Sequence, residues 1–174
     1  MTALTVTSKL SLVGLRLDPD STEPTFLTLL HGKSLDPILA DGQLVFFPTT
    51  DLIPKALSLA GIATPSEPTP VELDLVADFS TLLYLLAKQD KDERSVLVNG
   101  LNLLFDLVTV CGGTIPEQYR SPLYALTDHM TFSPSIAAFL IGLKVERSLL
   151  VDGVLWCLGW VVSHARYLKP STGR

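Results

Sequence analysis

The sequence has few charged residues and no concentration of basic ones. Asp, Glu, Lys and Arg make up 18% of the 174 residues, and the net charge is −5. Proteins that bind nucleic acids usually present clusters of Lys and Arg to the phosphates. The longest charge run here, residues 90–94, mixes both signs. The composition therefore disfavours nucleic acid as a partner and favours a protein partner with a basic surface.

Cysteine is also scarce, which excludes a fold held together by disulfides. The two cysteines, Cys111 and Cys157, both lie in strongly apolar stretches. Cysteines in such surroundings are typical of reduced core residues. We therefore expect a cytoplasmic protein with two buried thiols.

Long apolar runs are missing as well. The longest stretch without Asp, Glu, Lys or Arg is residues 129–143, and it contains a histidine, two serines and a proline. A membrane-spanning helix needs about 20 mostly apolar residues. The first residues also lack a basic segment followed by a continuous apolar one, so no secretion signal is visible. The sequence predicts no membrane span.

No known catalytic or metal-binding motif occurs. The phosphate-binding patterns GxxxxGK[ST] and GxGxxG and the nucleophile pattern GxSxG are all absent. The three histidines, His31, His129 and His164, are far apart, whereas zinc sites usually show local ligand spacing. We therefore predict no metal site, no cofactor and no enzymatic activity.

What the chain does have is 47% hydrophobic residues, enough for a large core. In its first part these residues alternate with polar ones, which predicts strands at residues 4–17, 25–30 and 43–47. The alternation changes phase at Val13, which predicts a half-buried first strand with a bulge at Gly14. A short helix is predicted after Thr50, with Gly61 ending it.

Three prolines within residues 62–70 indicate a linker, because such a stretch suits neither a helix nor a central strand. Beyond it the pattern becomes helical. The predicted helices are residues 72–88, 92–111, 116–130 with an interruption at Pro122, 133–147 and 148–168.

These elements predict an α+β fold. A small N-terminal antiparallel sheet with one helix (residues 1–61) is followed by the linker (62–70). A C-terminal α-helical bundle (71–170) completes the chain and packs with the sheet as one globular unit.

The second predicted helix of the bundle has a narrow polar stripe. Asn102 and Asp106 lie on it with Ser95, Asn99 and Thr109, while apolar residues occupy the remaining surface. Two interpretations stay open. The stripe is either exposed to solvent or to a partner, or it forms a buried polar network, since buried carboxylates need partners.

The last predicted helix places aromatic and charged residues on one face. Asp152, Trp156 and Arg166 fall there with Gly159 and Ser163, and Trp160 flanks them. Trp and Arg are common anchors of protein interfaces because they combine a large contact area with a polar group. The alternative is an ordinary helix edge with half-buried tryptophans. The predicted partner-binding residues are Asp152, Trp156, Trp160, Arg166, Asn102 and Asp106.

One segment resembles a known class of proteins. The stretch DGQLVFFPTTDLIPKAL, residues 41–57, is similar to the strand–turn–helix segment of some bacterial immunity proteins, which neutralise a cognate toxin in the cytoplasm. The resemblance covers about a tenth of the chain. It implies a non-catalytic inhibitor that binds a toxin tightly, and it carries over no site residues.

The sharpest hypothesis from the sequence is therefore an immunity-type inhibitor whose partner is a basic toxin domain. A second hypothesis is a structural or accessory subunit, or a homodimer, in which the apolar helices complete a larger assembly. A third is a small-ligand or enzymatic role in a pocket between sheet and bundle, using Asp106, Asp128 or His129. The sequence does not decide between a monomer and a homodimer.

Overall fold

The computed structural model describes residues 9–64, 71, 73–88, 93–133 and 135–170. Its strands are β1 (Leu10–Arg16), β2 (Phe26–His31), β3 (Asp36–Pro37), β4 (Leu39–Ala40), β5 (Gln43–Phe46), β6 (Leu73–Asp78) and β7 (Ala165–Tyr167). Its helices are α1 (Ile53–Leu59), α2 (Phe79–Lys88), α3 (Arg94–Val110), α4 (Glu117–Phe132), α5 (Ile136–Leu143) and α6 (Arg147–Ser163). The predicted strand residues 4–8 and most of the predicted linker lie outside the described residues.

The α+β class is confirmed: strands dominate the N-terminal part and helices the C-terminal part. The strands form two sheets, with the orders β3-β2-β1-β6 and β4-β5-β7. The sheets meet where Leu27 and Phe47 exchange backbone hydrogen bonds of 2.8 and 3.0 Å. The sheets are not purely antiparallel as predicted, because β6 and β7 join β1 and β5 in parallel.

The first strand is covered on both faces, which corrects the prediction of a half-buried strand with a bulge at Gly14. β1 pairs with β2 in one continuous register, and the irregularity in its pairing with β6 lies between Leu12 and Val13, where Asp74 of β6 is skipped. Val13 and Leu15 face the helices, and Leu12 faces α1 on the opposite side. The alternation of the two faces continues through Gly14 without a bulge. The residue at this position must be small for a steric reason. A Cβ at this position would lie 2.6 Å from Cγ of Pro24, so a larger residue does not fit there.

The predicted helix from residue 72 is wrong over its first part, where β6 (Leu73–Asp78) forms instead. Acidic residues before an apolar run favour a helix start, but Leu73, Leu75 and Ala77 also alternate as a strand requires. Pairing with β1 decides between the two. That partner is distant in sequence, so local propensity alone could not reveal it.

Three other helix predictions also need correction. The helix predicted over residues 133–147 is the shorter α5, Ile136–Leu143, which Ser135 caps and which ends before Lys144. Residues 117–132 form one helix that continues through Pro122, stabilised by packing against α3 and α6. The last helix ends at Ser163 rather than near Leu168, because the chain turns at His164 and pairs with β5. The predicted stop at Gly61 is confirmed, with a positive φ of 68° that favours glycine.

Two apolar clusters hold the fold together. The larger one lies between the helices and one face of the first sheet, with Phe79, Leu101 and Val154 fully buried. The smaller one lies between the other face and α1 and contains Phe47. Strands from both ends of the chain contribute residues to these clusters. The sheets and the helices are therefore packed together through a common set of apolar contacts.

A polar network fixes the junction between sheet and helices. Asp78, the last residue of β6, caps α2 by accepting hydrogen bonds from the Thr81 backbone N–H (3.0 Å) and from the Ser80 and Thr81 hydroxyls (2.6 Å each). It also forms an ion pair with Arg16 at the end of β1. Although partial burial opposes ionisation, these four interactions together hold the pKa of Asp78 well below its usual range.

We expect Asp78→Asn to lower the free energy of unfolding by about 2 kcal/mol near neutral pH, since it removes an ion pair and weakens a helix cap. Because the native pKa of Asp78 lies below its ordinary value, the carboxylate stabilises the fold above about pH 4, and this contribution is lost as the pH falls further. The difference between the variant and the wild type should therefore shrink in acid. Urea unfolding across the acid range measures it.

Asp74→Asn is the matched control, because Asp74 is exposed on the same strand. It should change the free energy of unfolding by less than about 0.5 kcal/mol. If both variants have the same effect, or if the Asp78 difference does not depend on pH, the network does not stabilise the junction as described.

Candidate functional site

One side of α6 is exposed along its whole length. Asp152, Leu155, Gly159 and Val162 lie in this row, and Leu155 and Val162 expose 50% and 42% of their surface. These positions repeat every three or four residues, so they share one side of the helix. We call this row, together with Trp156 and Trp160 at its border, the α6 face. It contains three of the six residues predicted to bind a partner.

The two tryptophans form a stack along the border of the α6 face. The rings of Trp156 and Trp160 lie 5.5 Å apart with 19° between their planes, and His164 continues the stack 4.2 Å from Trp160. Both tryptophans are half-buried. A stack of this kind is rigid, and a rigid aromatic surface loses little entropy when it binds a partner.

Trp160 also rests on the loop after α3. A Cβ on Gly113 would lie 2.4 Å from Nε1 of Trp160, so only glycine allows the indole to lie where it does. Nε1 is buried, and among the described residues it has no hydrogen-bond partner. The loop after α3 therefore helps to determine the position of the stack.

Arg166 lies apart from the α6 face, which corrects its predicted place on the last helix. It belongs to β7, is half-buried and forms an ion pair of 3.2 Å with the exposed Asp41. Its neighbour Tyr167 packs with Phe26 and Phe46, with ring centres 5.1 and 5.7 Å away. These contacts tie β7 to the N-terminal strands.

The polar stripe of α3 is exposed. Asn102 and Asp106 both face outward, as the first of the two interpretations expected. Partial burial, and to a lesser extent the Asp36 carboxylate, raise the pKa of Asp106. Within the described part of the chain, no hydrogen bond or ring contact joins Asn102 or Asp106 to the tryptophans. The six predicted residues therefore lie on three different elements, α6, β7 and α3.

A cavity of about 330 Å³ lies beside the Asp78 network and was not predicted from the sequence. Its lining includes Arg16, Ser80, Thr81 and Tyr84. The oxygens of Asp78 already accept four interactions, one of them the ion pair with Arg16.

The role of Asp78 as a helix cap could be predicted from the sequence, because this residue directly precedes the Phe-Ser-Thr that opens α2. Its partner Arg16 could not be predicted, because no local pattern links the two residues.

The residues considered for catalysis do not form a cluster. His129 Nε2 lies 3.0 Å from the backbone oxygen of Ser135, and the ring packs against Phe139, while Asp128 is exposed. Asp106 lies on a different helix. Within the described ranges, no three His, Cys, Asp or Glu side chains lie close enough to hold a metal ion.

The two cysteines are free and buried, as predicted. Burial raises the pKa of Cys111 and raises that of Cys157 to about 12. A thiol reacts as its thiolate, so neither group suits nucleophilic chemistry near neutral pH. Both serve as core residues.

A second exposed apolar surface was not predicted. Phe132 at the end of α4 is 89% exposed, and Ile141 and Leu143 of α5 are 79% and 54% exposed. We call these three residues the α5 patch. α5 is apolar on all sides, so the sequence could not indicate which side is buried. Ile141 and Leu143 are two positions apart, so they lie on different sides of α5, and Phe132 lies at the end of the preceding helix. Exposed apolar side chains of this size are typical of interaction sites.

No helix within the described residues is long and apolar enough to cross a membrane. No protein-family model matches the chain, and no curated protein matches it. Among solved structures, the chain is similar to the SatS C-terminal domain, crystallised in complex with bromine, at a TM-score of 0.62 and 16% identity. The match covers 91% of this chain and 94% of that one. At this identity it establishes the fold alone and does not bear on immunity to toxins.

We expect Gly113→Ala to destabilise the fold by about 1–3 kcal/mol, the usual cost of overpacking, because the new methyl group displaces Trp160. The near-ultraviolet circular dichroism of the tryptophans should change with it. Gly159→Ala is the control, since a Cβ there meets nothing within 4 Å. It should stabilise α6 by about 0.5–1 kcal/mol. A Gly113→Ala protein with wild-type stability and spectrum would contradict the described packing of Trp160.

Proposed function

We propose that this chain acts by binding another protein through the α6 face. The observation that carries the proposal is the combination of exposed Leu155 and Val162 with a stacked tryptophan pair at their border. Gly159 leaves a gap in this surface, because nothing lies within 4 Å of the place where its Cβ would be. Interfaces are centred on such features, in which rigid aromatic residues lie beside a depression that a partner side chain fills.

The charge of the chain favours a basic partner. The net charge is −5, and Asp152 lies exposed on the α6 face. Opposite charges accelerate association more than they strengthen the final complex. We propose a cytoplasmic inhibitor, and its sharpest form is an immunity protein that binds a basic toxin domain. The basis of that form is the resemblance of residues 41–57, of which Gln43–Phe46 form β5 and Ile53–Leu59 form α1.

A second function has its own supporting observation. The α5 patch exposes Phe132, Ile141 and Leu143 on a different part of the molecule. A structural or accessory subunit would use such a patch to join a larger assembly or a second copy of itself. The two functions therefore assign the contact to different helices, and mutations can separate them.

The test uses two glycines that are both exposed, helical and free of neighbours within 4 Å of an added Cβ: Gly159 in α6 and Gly142 in α5. Each is replaced by Gln, which adds bulk without charge and should not reduce stability. The wild type and both variants serve as bait in the native host, and the captured partner is then purified for affinity measurements. We expect Gly159→Gln to weaken binding at least about tenfold, or about 1.4 kcal/mol. Gly142→Gln should bind like the wild type.

The outcome distinguishes the alternatives. A single partner bound one-to-one, whose toxic activity is lost in the complex, would support the immunity form. Weaker binding by Gly142→Gln alone, together with capture of a multisubunit assembly or self-association in sedimentation, would favour the accessory function. Equal binding by all three proteins would remove both helices from the interface and contradict the proposal.

A further inference from the structure

Among the described residues, no strand pairs with one edge of the first sheet. β6 is the outermost strand of that sheet, and β1 is its hydrogen-bonded neighbour. In an extended strand, alternate N–H and C=O groups point to opposite sides, so half of those in β6 point away from β1. Among the described residues, the backbone of Leu73–Ala77 makes no hydrogen bond apart from its pairing with β1. The outer edge of β6 therefore presents unpaired donors and acceptors.

This edge has less protection than the opposite one. Proteins guard sheet edges with very short strands, proline, charged side chains or bulges. The opposite edge is short, since β3 has two residues and one is Pro37. β6 has six residues without proline or lysine, and its pairing with β1 is irregular at the charged Asp74. Its Leu73, Leu75 and Val76 nevertheless expose 43%, 36% and 39% of their surface, so apolar strand surface remains accessible at this edge.

A cleft of about 150 Å³ runs beside this edge, between β6 and the first two turns of α3. Leu75, Val76 and Val96 line it with apolar surface, and Ser95 and Asn99 add polar groups. A cavity of about this size accommodates a group as large as benzene. The cleft is therefore suited to one apolar side chain of a strand that lies along β6, with polar groups within reach of its backbone.

The charge around the edge indicates what kind of strand fits. Asp74 is exposed within β6 itself, and Glu93 is exposed two residues before Ser95. Arg94, which lies between Glu93 and Ser95, donates a hydrogen bond to the backbone oxygen of Thr131 in α4. The chain as a whole carries a net charge of −5. A segment with Lys or Arg next to its apolar residues would be attracted, and an acidic one would be repelled.

We propose that β6 is a strand-addition site for an extended, basic segment of a partner protein. The segment pairs its backbone with the outer edge of β6, places one apolar side chain in the cleft against α3, and sets Lys or Arg near Asp74 and Glu93. Backbone pairing provides affinity, and the cleft and the carboxylates provide selectivity. This inference deepens the proposed partner binding, but it concerns a surface separate from the α6 face and is tested separately.

The test uses a labelled peptide of alternating residues, Lys-Val-Thr-Val-Thr-Val-Lys, and two control peptides. One control has methyl groups on alternate backbone nitrogens, and the other has Glu in place of Lys. Fluorescence anisotropy measures binding, and hydrogen exchange locates it. We expect the first peptide to bind at concentrations below about 1 mM and to slow amide exchange within residues 73–77. Each control peptide should bind at least about tenfold more weakly.

Two protein variants test the cleft. Asn99→Trp places a large ring in it, whereas Gln118→Trp makes the same kind of change at an exposed position of α4. We expect Asn99→Trp to weaken peptide binding at least about tenfold and Gln118→Trp to leave it unchanged. Circular dichroism and urea unfolding establish that both variants are folded.

Three results would overturn the proposal. The first is no binding of the lysine peptide at millimolar concentration. The second is peptide binding that does not slow amide exchange in residues 73–77, or that Asn99→Trp and Gln118→Trp weaken equally. The third is protection of β6 that increases with protein concentration in the absence of peptide, which would mean that a second copy of the chain occupies the edge. None of these results would affect the Gly159 and Gly142 comparison on α6 and α5.

Discussion

The fold depends on one polar junction, the ion pair of Arg16 with Asp78 and the cap that Asp78 forms on α2. β6 is the strand that leads the chain from the sheet into the helices, and in the part of the chain that the structure describes it pairs with β1 alone. The junction fixes where that strand ends and where α2 begins. The position of α2 then sets how Leu82 and its neighbours meet α3, where the absent side chain of Gly100 allows close packing. A largely apolar interior thus takes its register from a few hydrogen bonds.

Much of the fold could be predicted from the sequence, because local patterns determine much of it. Alternation located most of β1, β2 and β5, and the proline-rich stretch separated them from the helices. The failures share a cause. β6 and β7 form through parallel pairing with strands far away in the sequence, and nothing near Leu73 or Ala165 specifies those partners. The alternation at Gly14 was misread for a related reason, since its close neighbour Pro24 belongs to a later turn.

Some of the candidate site residues could also be predicted from local patterns, and others could not. Helical periodicity was sufficient to place Asp152, Trp156 and Trp160 together, because all three lie within one regular helix. It failed for Arg166, which lies just beyond the end of that helix. The sheet edge, the cleft beside α3 and the α5 patch could not be predicted, since each depends on which residues the rest of the molecule leaves uncovered. Exposure of this kind is a property of the whole fold rather than of any segment.

The parallel pairing of β5 with β7 has a consequence for biosynthesis. Leu44 pairs with Ala165, so this contact closes a loop of about 120 residues, and such distant contacts slow folding. A ribosome adds about 5–20 residues per second, so β5 waits on the order of 10 s for its neighbour. During that time the apolar strands of the N-terminal part are exposed to other nascent chains. We therefore expect the second sheet to be completed only late in synthesis, when β7 emerges, whereas all strands of the first sheet have been made once β6 is finished.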